Sequence, residues 1–161
     1  QDIRFEGALG YGRNGCVMRA TWNGKQVAVK QFDCAREGVS QRFVNEVRAY
    51  KILEKAQGLY VPRAFFVSEL PGFGIKYLGL QLGRDPPPGD TRFNRWEVYC
   101  VLRDEYGIKH HDFVGRNAGV VIADSNGRER LVLIDWEEYE ICPPVVVRDT
   151  TCAPNRIRLV V

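Results

Sequence analysis

The sequence predicts an α+β fold, and three observations carry that expectation. The first half consists of short alternating runs closed by glycine, asparagine and proline, the pattern of antiparallel strands. Residues Ser40 to Gln57 break that pattern and repeat apolar positions three and four apart, as one amphipathic helix does. A proline-rich connector, Asp85 to Asp90, then leads into a shorter second half that mixes one helix with short strands.

Each element follows in order. Phe5 to Leu9 reads as a strand entering a glycine-rich turn. Cys16 to Trp22 and Lys25 to Phe32 alternate on either side of Asn23-Gly24, a dipeptide suited to a two-residue hairpin turn. In the helix, Phe43, Val47, Tyr50 and Leu53 or Glu54 form one stripe, with Ser40 placed to cap its start and Gly58 to end it. Arg63 to Leu70 and Ile75 to Leu82 are expected as strands joined by Pro71-Gly72. Pro86-Pro87-Pro88-Gly89 is the clearest boundary in the chain. Thr91 to Tyr106 carries Trp96, Tyr99 or Cys100, and Arg103 at helical spacing. Ala118 to Ala123 and Arg130 to Ile134 are short strands about the turn Ser125-Asn126-Gly127. Beyond Tyr139, Pro143-Pro144 and Pro154 interrupt the pattern, leaving Val145-Val146-Val147 and Ile157 to Val161 as short strand candidates. Arg148, Arg156 and Arg158 read as solvated surface charge.

Composition narrows the function classes. The chain has 161 residues with 45% hydrophobic and 27% charged, which suits one domain, or two small lobes, with a real core. The net charge of +3 is too small to argue for nucleic acid. No run reaches the roughly 18 apolar residues of a membrane span. The five cysteines, Cys16, Cys34, Cys100, Cys142 and Cys152, include no C-x-x-C pair. That argues against a disulfide scaffold or zinc cluster and for a reducing, cytoplasmic or nuclear setting. The first residues, Gln1-Asp2-Ile3-Arg4, do not read as a signal peptide, although a secreted effector with a removed leader would look the same.

Four pieces carry chemistry. Leu9-Gly10-Tyr11-Gly12-Arg13-Asn14-Gly15-Cys16-Val17 reads G-x-G-x-x-G-x-V, in which glycines let backbone approach phosphates. Read alone, it is equally a tight hairpin. A strand rather than a helix follows it, which excludes the dinucleotide-binding turn. Val27-Ala28-Val29-Lys30 sets a lysine in an apolar strand, where its ammonium either finds an anion or snorkels from a sheet edge to water. Glu46, on the amphipathic helix, is a candidate partner. His110-His111-Asp112-Phe113-Val114-Gly115-Arg116-Asn117, followed by Leu133-Ile134-Asp135-Trp136-Glu137, supplies hard oxygen ligands of the kind magnesium takes. The same residues would also serve as two Asx turns bracketing a hairpin.

Taken together, and in this order, these pieces resemble the eukaryotic protein kinase superfamily from about Phe5 to Tyr139. The resemblance implies a protein kinase-like two-lobe fold: an N-lobe over residues 1–84, with an antiparallel sheet and one helix, and a strongly reduced C-lobe over residues 85–161. It implies ATP and Mg2+ as the bound groups. Gly10, Gly12 and Gly15 would cover the phosphates. Lys30 would contact the α- and β-phosphates and pair with Glu46. Asp112 would orient the acceptor hydroxyl and take its proton, and Asn117 and Asp135 would hold magnesium. Leu9, Val17 and Ala28 would sandwich adenine against the connector Gln81 to Arg84, and His110 would brace the catalytic loop.

Some positions depart from the family pattern. His111 stands where an arginine is usual. Val114 and Gly115 replace loop residues near the γ-phosphate, while Arg116 precedes Asn117 as in the A-A-R-N loops of tyrosine kinases and supplies a substitute charge. Ile134-Asp135-Trp136-Glu137 resembles the aminoglycoside and choline phosphotransferase branch and fungal kinase-like proteins, with a stiffer turn than D-F-G. The short stretch after Glu137 holds no A-P-E motif and no large substrate-binding helices, which fits either a naturally minimal form or a fragment, and the apolar Ile157 to Val161 segment, able to pack as a strand, favours the minimal form. The activity implied is transfer of the ATP γ-phosphate to a hydroxyl by a minimal protein kinase. A small-molecule kinase and a non-catalytic nucleotide-binding module are the alternatives.

Overall fold

A computed structural model describes residues 3–113, 119–123 and 126–142. Among them the α+β expectation holds: nine strands and two α-helices, built around one five-stranded antiparallel sheet. Its strands are β1 (Ile3–Gly12), β2 (Gly15–Trp22), β3 (Lys25–Asp33), β4 (Ala64–Leu70) and β5 (Ile75–Gln81), in the order β1-β2-β3-β5-β4. Between β2 and β3, Asn23 and Gly24 both have positive φ, 47° and 75°, as a type I′ turn requires.

Alternation along β3 decides what each face of the sheet meets. Val27 and Val29 pack with Ala20 and, through Trp22, Phe65 and Phe66, form a small aromatic cluster on one side. Phe32 lies in the main core on the other side, its ring 5.2 Å from Phe43 of helix α1 (Val39–Ile52). Lys30 shares the parity of Ala28 and Phe32, so it faces the helix rather than solvent.

Helix α1 begins and ends differently from the sequence expectation. Its N-cap is Gly38, at φ 74°, with no side-chain cap, so Ser40 lies inside the helix and caps nothing. The regular helix stops at Ile52, and Glu54–Ala56 continue as a 3-10 turn. Leu53 and Ala56 are both fully buried. Residues three apart eclipse in 3-10 geometry, which brings both into the core at once.

The remaining elements close the core beneath the sheet. Helix α2 (Arg95–Tyr106) starts later than Thr91 because Asn94 caps it, accepting from the Trp96 N–H at 3.0 Å. Strands β7 (Gly119–Ala123) and β8 (Glu129–Leu133) form the expected hairpin. Two three-residue strands, β6 (Ile108–His110) and β9 (Tyr139–Ile141), were not foreseen and pair with each other. One apolar cluster then runs from Phe32, Phe43 and Leu53 to Leu102, Ile108, Leu133 and Trp136. The connector is stitched to β7 by reciprocal backbone bonds between Arg84 and Val121, at 3.0 and 2.8 Å. The proposed strands at Val145-Val146-Val147 and Ile157 to Val161 lie outside the described residues, as do Arg116 and Asn117.

The glycine-rich turn shows why its glycines are not equivalent. A Cβ on Gly15 would sit 2.1 Å from the Gln31 carbonyl oxygen, whereas Gly10 and Gly12 would meet nothing within 4 Å. Gly15→Ala is therefore expected to cost about 1–3 kcal/mol through a clash that must be relieved by backbone movement. Gly12→Ala should stay within about 0.5 kcal/mol of wild type. Urea unfolding midpoints of the two variants check this, and equal midpoints contradict it.

Candidate functional site

Among the described residues, four polar side chains are buried: Asn14, Lys30, Glu46 and His110. The first three meet in one cluster, and His110 braces the wall beside it. Strand β3 delivers Lys30, helix α1 delivers Glu46, and the turn after β8 delivers Asp135 and Glu137. The Lys30 ammonium lies 2.7 Å from Glu46 Oε2, 2.7 Å from Asp135 Oδ1 and 2.7 Å from Glu137 Oε1. The ammonium donates hydrogen bonds to Glu46 and Asp135 and lies in ionic contact with Glu137, so three carboxylates surround it.

Charge balance sets the protonation of this cluster. Burial disfavours charge on Lys30, but Glu46, Asp135 and Glu137 outweigh it and hold the ammonium's pKa above its ordinary value. One cation cannot neutralise three anions, and the most deeply buried carboxylate bears the shortfall. Burial pushes Glu46 up to about 7 against the pull of Lys30, with Asp135 adding to the rise. Its second oxygen, Oε1, is buried without a hydrogen-bond partner.

The glycine-rich turn closes over the cluster. Asn14 Nδ2 donates to Glu137 Oε2, and Asn14 Oδ1 accepts from Arg42 of α1 at 2.7 Å. Asn45, also on α1, donates to the Glu137 carbonyl at 3.2 Å. Arg13 pairs with Glu138 at 3.2 Å. Arg42, Asn45 and Glu46 are spaced i, i+3 and i+4, so they share one helix face. That polar triplet was the legible signal for this part of the site, but only Glu46 was singled out from sequence. Glu137, Asn14, Arg13, Arg42, Asn45 and Glu138 were missed as site residues.

His110 ties Asp112 to Ile134, the residue before Asp135. Its Nδ1 accepts from the Asp112 backbone N–H at 3.0 Å, so Nε2 carries the proton and donates to the Ile134 carbonyl at 2.7 Å. Burial lowers the His110 pKa against the opposing effect of that carbonyl, which keeps the ring neutral. The ring packs 4.5 Å from Trp136, which is fully buried and donates its indole N–H to Leu133 at 3.1 Å. Asp135 is held in the left-handed region at φ 64°. For a residue other than glycine this conformation costs on the order of 1 kcal/mol or more, and the anchored neighbours on either side maintain it.

A cleft of about 850 Å³ opens over these groups. Leu9, Gly10, Gly12, Gly15, Val17 and Ala28 line it, as do Lys30, Glu46, Asp112 and Asp135. The structure thus brings together every sequence-selected site residue except Arg116 and Asn117, which lie outside the described residues. Leu82 and Gly83 of the connector also face the cleft. Backbone bonds engage Gln81 and Arg84 on either side, and none among the described residues engages Leu82 or Gly83. Hard oxygens are available at Asp135, whose side chain remains 39% exposed while its Oδ1 is paired. Among the described residues no group of three or more His, Cys, Asp or Glu is arranged to hold a metal ion by itself. Magnesium bound through one or two carboxylates plus phosphate oxygens does not need such a group.

The elevated Glu46 gives a pH signature. The folded protein holds this proton more tightly than the unfolded chain, where the ordinary value is 4.5. Ionising Glu46 as pH rises from 4.5 through about 7 therefore removes stability. Glu46→Gln cannot titrate, so wild-type stability minus variant stability is expected to fall over that interval. Urea unfolding of both proteins across it checks the sign, and a flat or rising difference contradicts it.

No helix among the described residues is long and apolar enough to cross a membrane. Compared with known proteins, the chain matches no protein-family profile and no curated protein.

Proposed function

We propose that the cleft binds ATP with magnesium and that the chain transfers the γ-phosphoryl group to an acceptor hydroxyl, as a minimal protein kinase-like enzyme of two lobes. The observation that carries this reading is the Lys30 ammonium, buried among Glu46, Asp135 and Glu137 directly beneath a glycine-rich turn. A cation held at depth by carboxylates, beside backbone that can approach an anion closely, is a phosphate site in chemical terms.

Each group then has a task. Leu9, Val17 and Ala28 supply apolar walls for adenine, and the unengaged backbone of Leu82 and Gly83 meets its hydrogen-bonding edge. Gly10 and Gly12, with no atom near the Cβ position, leave room for phosphate oxygens against the main chain. Lys30 draws the phosphates down, and Glu46 keeps its ammonium in register. Magnesium, when bound, offsets phosphate charge, and Asp135 with Asn117 are the residues that would hold it. Asp112, its backbone pinned by His110, orients the acceptor hydroxyl and takes its proton. The new oxygen–phosphorus bond forms as the bond from the γ-phosphorus to the departing ADP breaks. The effect rests on positioning and charge rather than covalent chemistry.

Two measurements test this reading. Magnesium-ATP at 100 times its Kd should raise stability by about 2.7 kcal/mol, seen as a thermal shift. Asp112→Asn, a change at an exposed residue, should retain that shift while phosphoryl transfer falls about 100-fold or more. Absence of any shift overturns the reading. Binding without transfer in the wild type would identify a non-catalytic nucleotide module instead.

A further inference from the structure

The crowding of three carboxylates around the Lys30 ammonium, each at 2.7 Å, creates a conflict with the proposed activity. A phosphate oxygen reaches the ammonium only if one carboxylate leaves. The three are not equally able to do so. Glu46 is fully buried on α1, and Asp135 is fixed in a left-handed turn between anchored neighbours. Glu137 differs, because its carboxylate bridges outward from Lys30 to the glycine-rich turn. One oxygen takes the ammonium at 2.7 Å and the other takes Asn14. It therefore lies between the lysine and the phosphate-covering loop.

The surrounding bonds hold that arrangement in place. Arg42 fixes Asn14 at 2.7 Å, Arg13 pairs with Glu138 at 3.2 Å, and Asn45 holds the Glu137 carbonyl at 3.2 Å. Asn14 is only 6% exposed, although it occupies the tip of a two-residue hairpin turn, where a side chain would ordinarily be solvated. The turn has been drawn inward onto a carboxylate. The cluster meanwhile carries three carboxylates against one ammonium, so loss of Glu137 relieves repulsion within it.

We propose that Glu137 is an internal stand-in for a nucleotide phosphate: its carboxylate occupies the phosphate position on Lys30, Asn14 latches the glycine-rich turn over it, and nucleotide binds by ejecting it. This inference rests on the nucleotide reading of the cleft. It makes Glu137 the residue that sets nucleotide affinity by competition, and it assigns Asn14 and Arg42 to the latch rather than to the reacting groups.

The test is calorimetric titration of the full chain with ATP, with and without magnesium, in wild type, Glu137→Gln and Glu137→Ala. Hydrogen exchange of the Arg13 to Cys16 backbone amides, measured without ligand, is the second readout. Both variants should bind ATP about tenfold more tightly than wild type, corresponding to about 1.4 kcal/mol. Their turn amides should also exchange faster. Unfolding midpoints establish that each variant is folded, and the glutamine variant preserves side-chain volume. Equal or weaker affinity in folded variants, with wild type binding normally, overturns the proposal and leaves the nucleotide reading standing. Selective loss of the magnesium-dependent part of binding reassigns Glu137 to the cation and also overturns it. If no protein binds ATP under either condition, the nucleotide reading fails and this proposal fails with it.

Discussion

A buried ammonium that must satisfy three carboxylates constrains the rest of this structure. Lys30 cannot snorkel, because the parity of β3 turns it toward α1, and an unpaired charge there would cost several kcal/mol. The helix must therefore present Glu46 on that side, and the turn after β8 must reach back across the core to bring Asp135 and Glu137. Trp136, fully buried between those two acids, gives that turn its anchor. Even the first hairpin is recruited, since Asn14 folds in to share Glu137. Four segments distant in sequence are thereby fixed relative to one point.

The same constraint explains the uneven protonation. Attraction between one cation and three anions is net favourable only if the excess negative charge is relieved. Partial protonation of Glu46 is one route, consistent with its rise to about 7. A divalent cation held at Asp135, as proposed for magnesium, is another. The free protein is thus folded around a charge imbalance.

Much of this was legible in the sequence wherever local chemistry dictates geometry. Asn23-Gly24 specified its turn through two positive φ values, whereas Lys30 stayed open between an anionic partner and a snorkelling edge until the pairing of β3 turned it toward α1. Helical spacing found both helices, although their starts moved. Gly38 turns the chain into α1 without a side-chain cap, and Asn94 outcompetes Thr91 as the start of α2. Strands β6 and β9 carry no local signal. Three residues each, they exist because Ile108 and His110 meet Ile141 and Tyr139 across the fold.

Within the site, residues that match a spaced motif, namely Lys30, Glu46, Asp112 and Asp135, were legible only as an ordered set. Asn14 and Glu137 were not, because their importance comes from a contact between positions far apart in the chain. Glu137 appears in sequence only as a substitution at a turn position, and nothing local indicates that its carboxylate reaches Lys30. Arg42 and Asn45 were recoverable in principle, as polar residues on the face that also carries Glu46.

The most direct test of the central claim is to observe the Lys30 ammonium itself by proton–nitrogen NMR selective for lysine side chains. Hydrogen-bonded to two carboxylates, in contact with a third and buried, Lys30 should give a slowly exchanging ammonium signal in the free protein, assigned by its loss in Lys30→Arg. Saturating magnesium-ATP should move that signal as a phosphate oxygen replaces the Glu137 carboxylate. A protected signal that stays unmoved at saturation would contradict the account, and so would the absence of any protected ammonium in the free protein.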